Sequence, residues 1–450
     1  VPAGSHDRQV LLKAVAFDAT LYGLSAYLQY GEMFRQAVNR GSGSYTGFNT
    51  LQHERQLAGP GYRAFKVPNS DTLYSTAWLD LTRGPLEVTI PPVKLKYYTL
   101  NLFDMFGNPD NLGTRTIGSN GGHFLLVPPG WHGDCPPGMA LYRAATPHLW
   151  VLMRVFAQTD AELSQAHRFQ DEVRIAVYTG QTASPPPTES HVPTPAAEPP
   201  APTLTPTPTP PPEPPPPGPT AADFFRVLDY ILRVDGHLPG EEALVHGLRA
   251  LGLAGPHPFD PASVDADSWV AIEAGYKEAM ALIANARTQL GKSTGTGWVR
   301  VDKGNYGFNY LRRAVTNSAG LGANVPAENS SFNTFVDDHG EPLNGTAGRY
   351  RLELQTPPPV DAFWSVTLYD ARSFELYPNA IGRYLISDRT PGLRVAADGS
   401  IEVAIQHEPV KGVNWLPAPA GPFFVVIRSY LPRPAMLNGT WLPEPIRRLP

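Results

Sequence analysis

Two short stretches of the chain bring carboxylates, amides, aromatic rings and a guanidinium close enough in sequence to suggest a site. The first is Pro68-Asn69-Ser70-Asp71-Thr72-Leu73-Tyr74-Ser75, followed by Trp78. The second trails the apolar run Tyr97 to Phe103 and supplies Asp104, Asn108, Asp110, Asn111 and Arg115. Loops of this make-up meeting at one end of a β scaffold form a polar cleft with aromatic walls, the usual composition of a carbohydrate or small polar ligand site. Two carboxyl groups in one cleft can divide acid and base work, one kept protonated by burial and the other ionised, as glycoside hydrolysis needs. Asp71 and Asp104 are therefore the candidate catalytic pair, with Asn69, Tyr74, Asn108 and Arg115 as candidate substrate ligands. Each has a structural alternative: Asp and Asn also close turns, Arg115 can pair with a buried carboxylate, and alternate aromatics such as Tyr74 and Trp78 can face a core.

Other chemistries lack a signature. There is no glycine-rich phosphate loop opening a helix, no His-Glu-x-x-His, no Gly-x-Ser-x-Gly and no Cys-x-x-Cys. Gly118-Ser119-Asn120-Gly121-Gly122 sits between predicted strands and reads as a turn. The 12 histidines are dispersed. A metal shell from His123, His132 and His148 with Asp104 or Asp110 would need distant segments to meet, so no metal and no cofactor are expected. The single cysteine, Cys135, excludes an internal disulfide and any multi-cysteine cluster. Its partner in a thiol nucleophile would be His132, but the surrounding Gly133-Asp134-Cys135-Pro136-Pro137 has the make-up of a turn. Formal net charge is −5 with basic residues scattered, which gives no track for a phosphate backbone, so nucleic acid is not an expected partner.

The elements that must hold these residues are legible in the pattern. Val10 to Val38 carries apolar residues at helical spacing, and from Tyr62 the pattern changes to short β runs: Thr72 to Leu81, Leu86 to Ile90, Tyr97 to Phe103, Phe124 to Val127 and Leu149 to Phe156. Helical periodicity returns over Ala221 to Val234, Glu241 to Leu251 and Ser268 to Leu290, with Asp223 and Ser268 as expected caps. Strands resume at Tyr350 to Gln355, Phe363 to Tyr369, Arg383 to Ser387, Ile401 to Ile405 and Phe423 to Ser429, with a hairpin turn at Ala397-Asp398-Gly399-Ser400. Runs of strands and runs of helices segregate, which predicts an α+β, β-dominated chain. At 450 residues it exceeds a single core and implies at least two packed domains.

Between the halves, 18 of the 36 residues from Ser184 to Pro219 are proline. Such a stretch can neither donate to a ladder nor continue a helix, and it predicts an extended, disordered spacer. Pro/Thr tracts are common outside the cell, which favours a secreted, periplasmic or cell-envelope setting. Sequons at Asn329, Asn344 and Asn438 matter only for a secreted eukaryotic protein. Residues Val1 to His6 resemble the scar of an expression tag. No run of about 18 apolar residues is present, and no transmembrane segment is expected.

The stretch from Pro68 to Trp78, the segment Phe363-Trp364-Ser365-Val366-Thr367-Leu368-Tyr369-Asp370, the turn-like Asn414-Trp415-Leu416-Pro417-Ala418-Pro419 and the closing Asn438-Gly439-Thr440-Trp441 resemble, together, a two-part bacterial and fungal family made of domains of unknown function 1254 and 1214. The resemblance runs from about Leu11 to Ile446. It implies two jelly-roll-like antiparallel β-sandwiches with a helical segment between them, in proteins that often carry an export signal, and it supplies no agreed catalytic residue. Its C-terminal positions add Asn414 and Trp415 to the candidate substrate ligands. Glu328-Asn329-Ser330-Ser331 matches the family only loosely.

The domain organisation expected is a tag scar at 1–6, an N-terminal helix and β-sandwich at 7–183, the spacer at 184–219, a helical segment at 220–325 and a C-terminal β-sandwich at 326–450. The leading functional expectation is a cofactor-free hydrolase acting on a polar or carbohydrate-like substrate through Asp71 and Asp104. The alternative is a non-catalytic binding or assembly module, a homo-oligomer built on the jelly rolls.

Overall fold

The structure, a computed structural model, describes residues 5–62, 67–180, 212–213, 219–301 and 303–450. Most of the proline-rich spacer, and the first four residues of the expected tag scar, lie outside the described residues.

Helix α1, Ser5–Met33, is long and apolar enough to cross a membrane by length and composition alone. In the fold it is instead the central core helix. Leu12, Ala16, Tyr22, Tyr30 and Met33 are almost fully buried, each large apolar side chain contributing about 1.5–3 kcal/mol. It packs against the helices Ala221–Val234, Ala266–Ala286 and Tyr310–Ala319. A side chain at Gly275 would meet the Lys13 carbonyl oxygen at 2.2 Å, so only glycine allows the helices to approach so closely there.

Nine strands make two sheets in the N-terminal half. They are β1 (Gln52–His53), β2 (Thr72–Asp80), β3 (Leu86–Ile90), β4 (Tyr98–Phe103), β5 (Pro109–Gly113), β6 (Gly122–Val127), β7 (Ala140–Arg143), β8 (His148–Phe156) and β9 (Arg174–Val177), ordered β1-β2-β8-β4-β5 and β7-β6-β3-β9. Alternation along β2 decides its two faces. Leu73, Ala77 and Leu79 join one apolar cluster with Val88, Phe124 and Leu126 of the other sheet. Tyr74 and Trp78 face the opposite way, into the cluster built on α1. The first sheet is thus buried on both sides.

The C-terminal half contributes β10 (Lys292–Ser293), β11 (Val299–Arg300), β12 (Asn329–Thr334), β13 (Arg349–Leu354), β14 (Trp364–Asp370), β15 (Leu385–Ser387), β16 (Ile401–Gln406), β17 (Asn414–Pro417), β18 (Phe423–Tyr430) and β19 (Arg447–Leu449). Their sheets are ordered β10-β11-β12-β18-β14-β15 and β17-β16-β13-β19. All ladders are antiparallel except β6 with β7 and β16 with β17. Val366, Leu368, Val425 and Ile427 enter a shared apolar cluster with Leu352 and Val403 of the neighbouring sheet. Ser365, Thr367, Tyr369 and Arg428 therefore point to the opposite face, towards the N-terminal half.

The α+β, β-dominated class holds, with four mostly antiparallel sheets. Two local expectations are corrected. Asp223 and Ser268 are not the caps: Thr220 and Asp265 are, and their side chains accept from the amides of Asp223 and Ser268, because a capping oxygen reaches three residues forward. Asn414 to Pro417 is a strand rather than a turn, pairing in parallel with β16. β12, which begins just after Glu328, is an interior strand paired with both β11 and β18.

Candidate functional site

The first sheet and the polar face of the β12-β18-β14 sheet meet along a seam, and the Asn69 to Tyr74 stretch lies in it. Pro68 to Asp71 leads directly into β2, and its polar groups are tied to the C-terminal half. Asp71 accepts from Gln158 Nε2 at 2.6 Å and from Ser365 Oγ at 2.6 Å. Asn69 Oδ1 accepts from the Asp71 amide at 2.7 Å while its Nδ2 donates to the Tyr430 hydroxyl. Tyr369 donates to the Pro68 carbonyl at 2.6 Å. Burial pushes the Asp71 carboxyl up to about 6, partly offset by Ser365, Arg428 and Gln158.

Two arginines reach this seam from apolar strands. Register sets Tyr74 of β2 opposite Arg154 of β8, so both leave the sheet on one face, with the guanidinium 5.8 Å from the ring centre. Arg154 donates to Asn101 Oδ1 and, at 2.9 Å, to the Gly322 carbonyl. Arg428 of β18 lies in register with Ser365 on one side and Ser331 on the other. It donates to the Tyr369 hydroxyl at 2.7 Å and the Val67 carbonyl at 2.9 Å. Burying a guanidinium costs several kcal/mol unless charge and hydrogen bonds compensate. Here the nearby phenols and Asp71 favour the charge.

Lys303 is the third cation. It is half-buried, and desolvation together with the charges of Arg428 and Arg154 lowers its ammonium to about 8. No carboxylate among the described residues offsets those two influences. The following residue, Gly304, fits against the backbone of Asn324 and Val325 so tightly that a Cβ would lie 2.4 Å from Asn324, which anchors the lysine beside the Gly322 to Asn324 segment that Arg154 also touches.

Backbone strain flanks the seam. Val67 has φ of 53° although it is β-branched and precedes a proline, and Leu431, just after Tyr430, has φ of 51°. Such strain persists where surrounding contacts over-determine it, as the Arg428 bond to the Val67 carbonyl does.

The structure separates the residues singled out in the sequence. Asn69, Asp71 and Tyr74 are together. Arg115 is nearby, but it binds Glu328 Oε2 at 2.6 Å while Tyr97 binds the other oxygen at 2.8 Å, so its charge is spent on a fully buried carboxylate. The Asp71 and Asp104 pair is corrected: pairing β4 to β8 to β2 sets Asp104 level with Leu79, eight positions along from Asp71, or on the order of 25 Å at about 3.3 Å per residue. Asp104 accepts from the amides of Phe106 and Asn108 and from the Asn108 side chain, a closed turn that absorbs both residues. Asn414 and Trp415 lie on the outer C-terminal sheet, where Asn414 joins the Arg394 and Glu402 backbone and Trp415 Nε1 donates to Gln406. No group of three metal-ligating side chains occurs among the described residues.

Sequence reading passed over Arg154, Lys303, Arg428 and Tyr430. A signal existed for the arginines, since each interrupts an otherwise apolar strand, Leu149 to Phe156 and Phe423 to Ile427 with Arg428 next. Nothing local marks Lys303.

The comparisons follow the same two halves. Residues 48–177 match the family described as protein of unknown function (DUF1254), and residues 328–434 match protein of unknown function (DUF1214). The crystal structure of the VPA0106 protein from Vibrio parahaemolyticus is similar over 98% of this chain and 100% of that one, with 20% identity and a TM-score of 0.71, a likeness of fold. A putative uncharacterised protein from Burkholderia cenocepacia aligns over 99% of this chain and 96% of its own at 12% identity and a TM-score of 0.46. No curated protein matches.

Proposed function

The chain carries both domains of the two-part DUF1254 and DUF1214 family, and from that premise we propose that it binds a small organic anion in the seam where the two halves meet. The supporting observation is the grouping of Arg154, Arg428 and Lys303, with no carboxylate among the described residues acting on Lys303. Buried positive charge of this kind is costly when left alone and is relieved by an anion. Glu328 does not serve, because Arg115 already neutralises it. Asp71 offsets part of the Arg428 charge and is itself joined to Gln158 and Ser365. The half-buried, desolvated lysine shares the seam with Tyr74 and Tyr430, which supply aromatic rings and neutral hydroxyls beside the arginines.

This reading replaces the two-carboxylate hydrolase, whose pair is separated by most of the length of a strand. It keeps Asn69, Asp71 and Tyr74 as site residues and drops Asp104 and Asn108. The test is thermal stabilisation by small carboxylates (propionate, succinate, benzoate) set against their neutral amides. Carboxylates should raise the melting temperature and amides should not; equal behaviour of acid and amide would sink the proposal.

A further inference from the structure

We infer that the helical layer carries a proline-binding groove, a row of aromatic side chains on three helices, and that its occupant is this chain's own proline-rich spacer, held at Pro212 and Pro219. The inference is independent of the anion site.

Two hydrogen bonds carry it. The Tyr30 hydroxyl, from α1, donates to the Pro212 carbonyl at 2.6 Å, and the Tyr276 hydroxyl, from the helix Ala266–Ala286, donates to the Pro219 carbonyl at 2.9 Å. Tyr30 is fully buried, so its hydroxyl needs a protein partner, and the spacer supplies it. The rings around these hydroxyls form one surface. Tyr30 meets Tyr230 of the helix Ala221–Val234 edge-on, with 5.6 Å between ring centres. Tyr27 precedes Tyr30 by three residues and so shares its side of α1. Its ring lies 5.4 Å from Phe224, which in turn lies 5.4 Å from Tyr276. The row thus runs from one anchoring hydroxyl to the other.

This is the chemistry a proline segment requires. Proline has no N–H, so such a segment cannot be held by strand pairing and offers only carbonyl oxygens and ring faces. Tyrosine answers both with a flat ring and a hydroxyl donor, and aromatic-lined grooves are the general means of binding proline-rich chains. Position names the occupant. Pro212 and Pro219 are both half-buried on the row, while Glu213, the other described residue of the spacer, is exposed. A plain anchor for the start of the helix Ala221–Val234 would need Pro219 alone. The bond at Pro212, seven residues earlier, does nothing for that helix. Covalent attachment also favours the chain's own segment, since a short tether acts as a concentration on the order of mM.

The experiment titrates a peptide of residues 206–220 into the full chain labelled with ¹³C-tyrosine, and into a full-chain variant whose prolines from Pro210 to Pro219 are replaced by serine. The replacement keeps the carbonyls and removes the proline rings. Tyrosine ring signals should shift on binding to the serine variant, with affinity for the unaltered chain weaker by roughly tenfold or more because its groove is filled. Tyr30→Phe or Tyr276→Phe, added to the serine variant, loses one hydroxyl and should weaken the peptide by roughly fivefold. A folded serine variant that takes no peptide at about 10 mM, above the tether's effective concentration, would overturn the groove. Equal affinity for the two chains would overturn the occupant. If the serine variant does not fold, a post-proline endopeptidase active on whole proteins is applied to the natural spacer. The Pro217–Gly218 bond should be cut faster in Tyr30→Phe than in the unaltered chain, and the Pro206–Thr207 bond, outside the anchored stretch, equally fast in both. Equal rates at both bonds would overturn the inference.

Discussion

The Asp71 carboxyl and the Ser365 hydroxyl, drawn from opposite halves of the chain, meet at 2.6 Å across the seam. This contact belongs to a continuous polar band in which Asn69 reaches Tyr430, Pro68 receives Tyr369 and Val67 receives Arg428. The first motif of the sequence is thus chiefly the place where one half grips the other, and the cationic seam lies beside that grip.

Asp71 should make stability depend on pH in a stated direction. Its carboxyl is raised from 3.8 to about 6 by burial, so the folded state holds the proton more tightly than the unfolded chain does. The contribution is therefore most favourable below about pH 4, declines as pH rises to about 6, and is level above that, a change of ~3 kcal/mol. In Asp71→Asn this decline should vanish. Melting temperatures of the two proteins measured from pH 4 to 7 should diverge in favour of the variant as pH rises; parallel curves would refute the buried, proton-holding carboxyl.

Asp104→Ala should cost stability and leave the seam alone. It removes three acceptor bonds inside one turn, worth about 1–3 kcal/mol together with the exposed amides. Denaturant unfolding should report the loss, and propionate titration should give the same affinity as the unaltered protein. A lost affinity would restore Asp104 to the site.

Much of the scaffold was legible because periodicity survives burial: β2, β3, β8, β14, β16 and β18 all lie on runs of alternating or continuous apolar residues. The site was legible only in part. Asn69, Asp71 and Tyr74 lie close together in one motif, so their grouping is local. Arg154, Lys303 and Arg428 become neighbours only when two sheets pair face to face, and no spacing in the chain records that. Asp104 misled because a turn-closing aspartate and a catalytic one have the same local sequence, and strand register alone tells them apart. The Asn414 to Pro417 segment misled because its proline suggested a turn, whereas Pro417 ends a strand at a sheet edge, where its missing N–H costs nothing.

Glu328→Gln should destabilise the protein by ~1–3 kcal/mol, because Arg115, itself partly exposed, then loses the charge-assisted bond to the buried carboxylate. Double replacement of Arg115 and Glu328 by Met and Gln should recover part of that loss. Equal stability of Glu328→Gln and the unaltered protein in urea titration would contradict the pairing.

His148 should act in the same sense as Asp71, but at higher pH. Burial lowers its ring, but Asp235, in contact at 3.0 Å, and Asp80 outweigh burial and raise it overall. Its contribution to stability is complete below about pH 6.5, its unfolded value, and is lost as pH rises through the folded one. His148→Asn should flatten the fall in melting temperature above pH 6.5; an unchanged slope would show that the ring is neutral throughout.

The central claim, an anion site made by the two halves together, is tested most directly by calorimetric titration of propionate into the unaltered protein, Arg154→Gln and Arg428→Gln. One arginine comes from each half, and each charge-assisted carboxylate contact is worth about 1.5–3 kcal/mol. The account predicts that each replacement weakens binding by roughly tenfold or more and that binding in the unaltered protein weakens as salt is added. Equal affinity in all three proteins would place the anion elsewhere and contradict the account.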